Sequence, residues 1–599
     1  MTLLVVVAAP LGGAIFLALA GGRLGRWTLG LIATGAMALS FGAAASMVGS
    51  IPTHPRLEAH VAGWLPIPGA DLALVADSST LAISLMITGV SALISLYSIG
   101  YLTNDRGLQR YFAALDLFVA SMLLIVLASN LVLLFAGWEL VGLCSYLLIG
   151  HFRERPAAAD AAVKAFVVNR VGDAAFLVGI FLLLAAFHTV DIAQLDGIAI
   201  EHGSMNTDLL VVASGLLLFG ALAKSAQFPL HTWLPDAMEG PMPVSALIHA
   251  ATMVTAGVVL LVRMRSLLAA DVLFAASVIG AVTALGAAIV ALGQRDLKRV
   301  LAWSTISQVG LMFVGAGLGA TFAARFHLLA HAFFKGTLFL AAGSVMHATA
   351  DELDIGRLGG LGRRMRWTTA AFAAGTLALA AIPPTAGFFS KDHIAAAAVA
   401  APALLVAVLL TSAVSALYAL RLFVTVFVAP ASVEREAHES PMVMVIPLVL
   451  LALAAVSFGG LVSAGIVPIG GAPGDEPPIW LAATSFAIAL GGAATGWLVY
   501  RHGLERAERV ERVTARAAGG FGLDPLYSRV LVRPFRAAAR ELERGAERLN
   551  QRSIDALALA VAGAGIAVRR IQGGYVRGYE ALLLAGTVAL LAYWNWNAR

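Results

Sequence analysis

Apolar runs of about 20 residues recur from one end of this chain to the other, with short polar loops between them. A run of that length matches the hydrocarbon thickness of a bilayer. In lipid every backbone N–H and C=O must be satisfied within its own segment, so each run is expected to be a helix. Reading the rows on this rule places helices near 2–20, 28–47, 79–100, 111–129, 131–150, 160–187, 208–226, 242–262, 271–292, 299–319, 322–347, 367–388, 394–428, 441–465, 480–500 and 578–597. That is sixteen spans, and the fold class is an all-α polytopic membrane protein. The split between 111–129 and 131–150 rests on Ser129 and Asn130. The run 394–428 is too long for one straight span and is expected to be tilted or broken. Only 13% of the residues are charged, against roughly 25% in soluble domains, which excludes a soluble fold. No charged region precedes the run Thr2–Ala20, so it reads as a retained helix and not a signal peptide.

The net charge of +5 does not point to nucleic acid, because the basic residues sit in loops between spans and in one stretch near the C-terminus. Loop charge sets membrane orientation. With the N-terminus outside, the inside loops hold Arg23 and Arg26, Arg106 and Arg110, Arg153 and Arg155, Arg295, Lys298 and Arg299, and Arg357, Arg363, Arg364 and Arg366. The outside loop 188–207 holds Asp191, Asp196 and Glu201 and no Lys or Arg, and the loop 466–479 holds Asp475 and Glu476. Arg263 and Arg265 dissent. The balance places both termini outside.

The stretch from Arg501 to Arg570 carries fourteen arginines among regularly spaced Leu, Val and Ala. It reads as a long amphipathic helix suited to a membrane surface or a protein flank, with a soluble linker as the plainer alternative. A last span follows it. Cys144 is the single cysteine, so no disulfide or cysteine-ligated cluster can form within the chain.

Of the 40 basic residues only five are lysine: Lys164, Lys224, Lys298, Lys335 and Lys391. All but Lys298 lie in or at apolar spans. Charge inside a membrane is expensive and marks function by default. Arginine does not release its proton in a protein, whereas a desolvated lysine does. Lysine kept for apolar spans therefore suggests proton exchange; snorkelling or structural ion pairing is the rival.

Four constellations surround these lysines. Glu139, in FAGWELVGLCSYLLIG, is the only carboxylate between Asp116 and Glu154 and needs a cation or neutralisation, with Lys224 as the expected partner. Lys224 itself lies in GALAKSAQFPLHTWLP, where Pro229 breaks the helix. His327, His331 and Lys335 follow one another at four-residue spacing, a stripe on one helix side with steps of about 6 Å that suits proton relay; His249 is a further buried imidazole. Metal binding and ordinary core histidines are the rivals there. In AAIPPTAGFFSKDHI, Pro383 and Pro384 break a span beside Lys391 and Asp392, with Gly387 loosening it. Irregular backbone at membrane depth must be buried in protein or line water, and paired broken helices belong to transporters with internal repeats. Finally, Lys164, Arg170 and Asp173 share one apolar helix; Arg170 and Asp173 are expected to pair locally and to tune the charge on Glu139.

The segments WELVGLCSYLLIG, NRVGDAAF, AKSAQFPLHTWLPDAMEGPMPVSALIHAATMVTAGVVLLVR, HAFFKGTLFLAAGSVMH and GFFSKD together resemble the antiporter-like L chain of respiratory complex I, over nearly the whole length. The resemblance implies fourteen core helices with two inverted five-helix repeats, a lateral helix and an anchoring span. It divides the chain into 1–110, N-terminal helices; 111–262 and 271–428, the two repeats; 441–500, C-terminal core helices; 501–577, the lateral helix; and 578–599, the anchor. It implies a proton path through Glu139, Lys224, Lys335, Lys391, His249, His327 and His331, with Asp173 matching a family aspartate. It implies neighbouring antiporter-like chains as partners, a bacterial inner membrane, and NADH, FMN, iron–sulfur clusters and quinone in other subunits, with no cofactor or metal in this one. Related families are the large subunit of cation (sodium)/proton antiporters and chains of membrane-bound hydrogenases. A non-transporting structural anchor is the remaining alternative.

Overall fold

The computed structural model describes residues 1–103, 105–201, 208–430, 437–471, 476–504, 507–571 and 573–598. Asp475, expected in an acidic loop, lies outside them. The chain forms two compact units, Met1–Phe521 and Gly522–Arg599.

The first unit opens with α1 (Thr2–Ala20) and α2 (Arg26–Ser46). A hairpin that hydropathy did not announce follows, β1 (Arg56–Gly63) against β2 (Asp71–Asp77), antiparallel and with an irregularity between His60 and Ala62. Asp77 ends β2 and starts α3 (Ser78–Tyr101): its carboxylate accepts from Thr80 N and the Thr80 hydroxyl accepts from Asp77 N, both at 2.8 Å, a reciprocal cap. Next come α4 (Leu108–Leu127), α5 (Leu131–Ile149) and α6 (Pro156–Phe187). The division between α4 and α5 falls at Ser129–Asn130, where Asn130 Oδ1 caps Leu133 N.

Short α7 (Ile192–Glu201) leads to α8 (Asp208–Lys224), one-turn α9 (Trp233–Asp236), α10 (Met242–Ala250) and α11 (Ala256–Arg263). The run 242–262, expected as one helix, is in fact broken between α10 and α11. No proline breaks it. The Thr252 hydroxyl takes the carbonyl of Leu247 and the Thr255 hydroxyl that of Thr252, so threonines satisfy the freed backbone. Unbroken α12 (Ala270–Gly293), α13 (Leu297–Gly317) and α14 (Thr321–Ala348) follow.

The next span is split into α15 (Arg366–Leu379) and α16 (Ala386–Ala397), ahead of α17 (Pro402–Phe423). The expected helix 367–388 therefore ends early, and residues 394–397 of the expected run 394–428 belong to α16. Gly387 does not loosen this region. A Cβ there would collide with the carbonyl of Ala378, so glycine lets the two half-helices touch. After α18 (Met442–Ser463) and α19 (Ile479–Tyr500), α20 (Glu508–Ala518) packs against α12 and closes the first unit. The amphipathic stretch 501–577 is thus not one helix, because its first part is docked on the core. The second unit holds α21 (Leu523–Tyr527), the 39-residue α22 (Arg533–Ile571) and α23 (Val576–Asn597). At 1.5 Å per residue α22 is about 58 Å long, and its Leu542, Leu549, Leu557 and Val561 side chains are exposed.

Fifteen helical runs among the described residues are long and apolar enough to cross a bilayer. Loops rich in arginine share one end of the first unit, tied by His151 Nε2 to Asp105 at 2.8 Å and by Lys298 Nζ to the carbonyls of Met238 and Gly240 at 2.6 and 2.9 Å. The opposite end holds the hairpin, bridged through Leu74 to Ala128, and Asn130 bridged to Asp191. The dissenting Arg263 has a structural reason to be there. It donates to the carbonyls of Ile125 and Ala128, at 2.8 and 2.7 Å, and so caps the end of α4.

Candidate functional site

Helix geometry decides who meets whom at the first broken helix. Adjacent residues on a helix point about 100° apart. On α5 this sends Trp138 inward and Glu139 toward the flank. Trp138 is fully buried and its Nε1 donates to Asp173 Oδ1 at 2.7 Å, while Asp173 Oδ2 stands 3.3 Å from Lys224 Nζ. The ammonium also lies 5.9 Å from the centroid of the Trp138 ring. Gly142 makes the room, since a Cβ there would sit 2.8 Å from Lys224 Nζ. Glu139 turns instead to Arg170, which donates to its Oε2.

Two expected pairings are therefore corrected. Lys224 pairs with Asp173 and not with Glu139, and Arg170 pairs with Glu139 and not with Asp173. Residues 170 and 173 share a helix but face different neighbours. Lys164 reaches Asp236 at 2.6 Å, so it tethers the piece that follows the break. Pro229 lies between α8 and α9, and the Phe228–Pro229 peptide is cis.

The central group lies on α14. His327, His331 and Lys335 are all fully buried, and the two rings stand 6.4 Å apart. Lys335 donates to the Ser304 hydroxyl on α13. His249, on the last turn of α10 before the unforeseen break, packs on Phe339 at 4.7 Å. Neither ring nitrogen of His249 or His331 has a hydrogen-bond partner among the described residues. His327 Nδ1 is 2.9 Å from the Ser390 hydroxyl, which brings the row to the neighbour of Lys391.

At the second broken helix, Lys391 Nζ donates to the carbonyl of Leu379 at 2.7 Å. Leu379 is the last residue of α15. Asp392 accepts from the Ser485 hydroxyl on α19. Pro383 and Pro384 form the link between the halves, joined by a cis peptide.

The two breaks thus share a plan that spacing did not reveal. Lys224 is itself the last residue of α8, and Lys391 reaches back to the last residue of α15. Each lysine is thus tied to the end of a helix, where the negative end of the helix dipole lies. Sequence reading found the lysines and missed Asp173 as the Lys224 partner, Trp138, Ser304, Ser390 and Ser485. The only signal for them was their polarity within apolar spans.

Residues 128–416 match the family model described as NADH:quinone oxidoreductase/Mrp antiporter, TM, and residues 64–112 match that of NADH-ubiquinone oxidoreductase (complex I), chain 5 N-terminus. NADH-quinone oxidoreductase subunit L of Mycobacterium tuberculosis is 41% identical over 98% of this chain and 97% of its own length. The chain belongs to the subunit L family of NADH-quinone oxidoreductase. Subunit L of Escherichia coli is 41% identical over 87% of this chain and 86% of its own. Among solved structures, a chain of the Mrp complex from Dietzia sp. superposes with a TM-score of 0.72 at 26% identity, over 100% of this chain and 63% of that longer one. A chain of the membrane-bound sulfane sulfur reductase, an archaeal respiratory membrane complex, shares the fold with a TM-score of 0.70 at 23% identity, covering 82% of this chain and 99% of its own. The chain is accordingly a multi-pass, antiporter-like membrane-arm subunit of an enzyme complex.

Proposed function

We propose that this subunit translocates protons without redox chemistry of its own. The observation that carries the reading is the row of buried titratable groups strung between two broken helices: Lys224 with Asp173, then His249, Lys335, His331 and His327, then Lys391 beside Ser390. Protons are taken up at the arginine-rich end, reach Lys335, and leave past Lys391 at the opposite end. The charge state of the Lys224–Asp173 and Arg170–Glu139 pairs sets the field at the central lysine. A like charge nearby favours the neutral lysine and a removed one favours the ammonium.

The chain is expected to hold no NADH, flavin, iron–sulfur cluster or quinone, which belong to other subunits. Its location is the inner membrane of a bacterium, with the arginine-rich loops inside. Neighbouring antiporter-like chains are the partners. The Arg170 and Glu139 side chains are 44% and 23% exposed at mid-span, a position that favours cover by another protein. The apolar side chains along α22 suit the same neighbours.

Redox-driven proton translocation in membranes carrying Lys224→Met tests the reading, with NADH oxidation and assembly followed alongside. Translocation and oxidation should fall together in an assembled complex. Normal values of both would leave the buried lysine a structural group and end the proposal. The likeness to an Mrp complex favours a second reading, sodium/proton exchange, which a strict sodium requirement for transport would establish.

A further inference from the structure

The row described so far runs from Lys335 toward the hairpin end. A second polar row leaves Lys335 in the other direction. Lys335 is bonded to Ser304 on α13, and one turn further along α13 Gln308 Nε2 donates to the Ser415 hydroxyl on α17 at 3.3 Å. Tyr418 follows Ser415 by three residues on the same helix face. Its hydroxyl is fully buried beside Ser304, Ser307, Gln308 and Ser415. Three residues on, Arg421 is fully buried and donates twice to Glu511 of α20, each time at 3.1 Å, and to the carbonyl of Gln294 at 2.9 Å. Glu511 in turn lies 3.5 Å from Arg295 Nε, whose side chain is 58% exposed in an arginine-rich loop.

We propose that this second row, through Tyr418 and the Arg421–Glu511 pair, is the route by which protons reach Lys335 from the arginine-rich end. The inference rests on the translocation reading above and names the uptake side of that same site. Two features argue for transport over packing. The Tyr418 hydroxyl extends the polar row where phenylalanine would fill the same space, so packing alone does not call for a phenol. A buried ion pair is weakly stabilising at best, yet here it sits at the mouth of a polar row. The chemistry balances simply. A proton carried by water past the Arg421–Glu511 pair is accepted on a lone pair of the Tyr418 hydroxyl as that group releases its own toward Ser304, so no charge remains on Tyr418, and neutral Lys335 ends as the ammonium. Glu511 neutralises the Arg421 guanidinium, which would otherwise repel a proton at the mouth.

The test uses the whole complex in sealed membrane vesicles, with Tyr418→Phe, Glu511→Gln and, as the reference, Lys335→Met. Assembly, NADH oxidation and the initial rate of proton translocation are measured in H2O and D2O. Tyr418→Phe removes one oxygen and keeps the ring, so assembly should persist. Its translocation rate should fall at least twofold and its solvent isotope effect should rise, and Glu511→Gln should lower the rate similarly. If Lys335→Met stops translocation while Tyr418→Phe matches the unaltered complex in rate and isotope effect, the uptake route is wrong and the translocation reading stands. If Lys335→Met also pumps normally, the translocation reading fails and takes the route with it.

Discussion

Asp173 and Lys224 form the buried ion pair of the first broken helix, Oδ2 and Nζ 3.3 Å apart with both side chains almost wholly enclosed. Glu139, the acid that sequence favoured for this role, is held on the flank by Arg170. The two carboxylates should therefore behave differently when neutralised. Removing one partner of a buried pair costs about 3–5 kcal/mol, while an exposed pair is worth up to about 1 kcal/mol. Asp173→Asn is expected to lower the unfolding temperature of the subunit and to cut translocation tenfold or more. Glu139→Gln should be the milder change in stability. Thermal unfolding of the purified complex, alongside pumping in vesicles, decides it; the reverse order would contradict the pairing.

Gly142 faces the same ammonium. A methyl at this position would stand 2.8 Å from Lys224 Nζ, the far end of a flexible side chain. The lysine can yield, so the complex should assemble. The ammonium would then be displaced from Asp173. Gly142→Ala is expected to lower translocation several-fold with little change in subunit content, and an unaltered rate would mean that the ammonium position is not critical.

Arg263 is a cap and should act as one. Arg263→Met leaves the carbonyls of Ile125 and Ala128 without their donor. Each buried unpaired acceptor costs about 1–3 kcal/mol. The unfolding temperature is expected to drop, while protons moved per NADH oxidised stay constant in whatever complex assembles. A changed ratio with unchanged stability would assign Arg263 to the transport path.

His151 gives the arginine-rich end a pH dependence. It lies in the loop after α5, 2.8 Å from Asp105. Burial pushes its imidazole below the ordinary value near 6.5, and Asp105 opposes this only in part. The unfolded chain then binds the proton more readily than the folded one. Stability is full above the unfolded value and is lost as pH falls through it toward the folded value. Thermal unfolding between pH 7.5 and 5.5, on the order of one unit either side of the ordinary value, should show a falling stability that is flatter in His151→Gln. Equal slopes would remove His151 as the cause.

Much of the architecture could be read directly. Helical class and most spans followed from run length and hydropathy, which are local properties, although the run 208–226 and the broken run 367–388 are too short as helices to count among the fifteen. The α4–α5 division fell at Ser129–Asn130 as expected, because Asn130 caps a helix with its own side chain. The break at Pro383–Pro384 was legible because proline disrupts a helix wherever it falls. The break at Ala251–Thr255 was not, since it depends on two threonine hydroxyls replacing lost backbone bonds in place. Nor was the hairpin, whose short alternating strands carry no bilayer-length signal. The docking of α20 through Glu511 was hidden inside an arginine-rich stretch that looks uniformly surface-like.

By itself, the sequence determined that the chain spans a membrane many times and that lysines and histidines lie within those spans. Those conclusions need only residue type and spacing. Tertiary structure decided the partners: Lys224 with Asp173, Glu139 with Arg170, Lys391 with the end of α15, Arg421 with Glu511. Partner choice depends on how each helix is rotated about its axis. A shift of one residue turns a side chain by about 100°, from one neighbour to another, and only packing against the other helices sets that rotation.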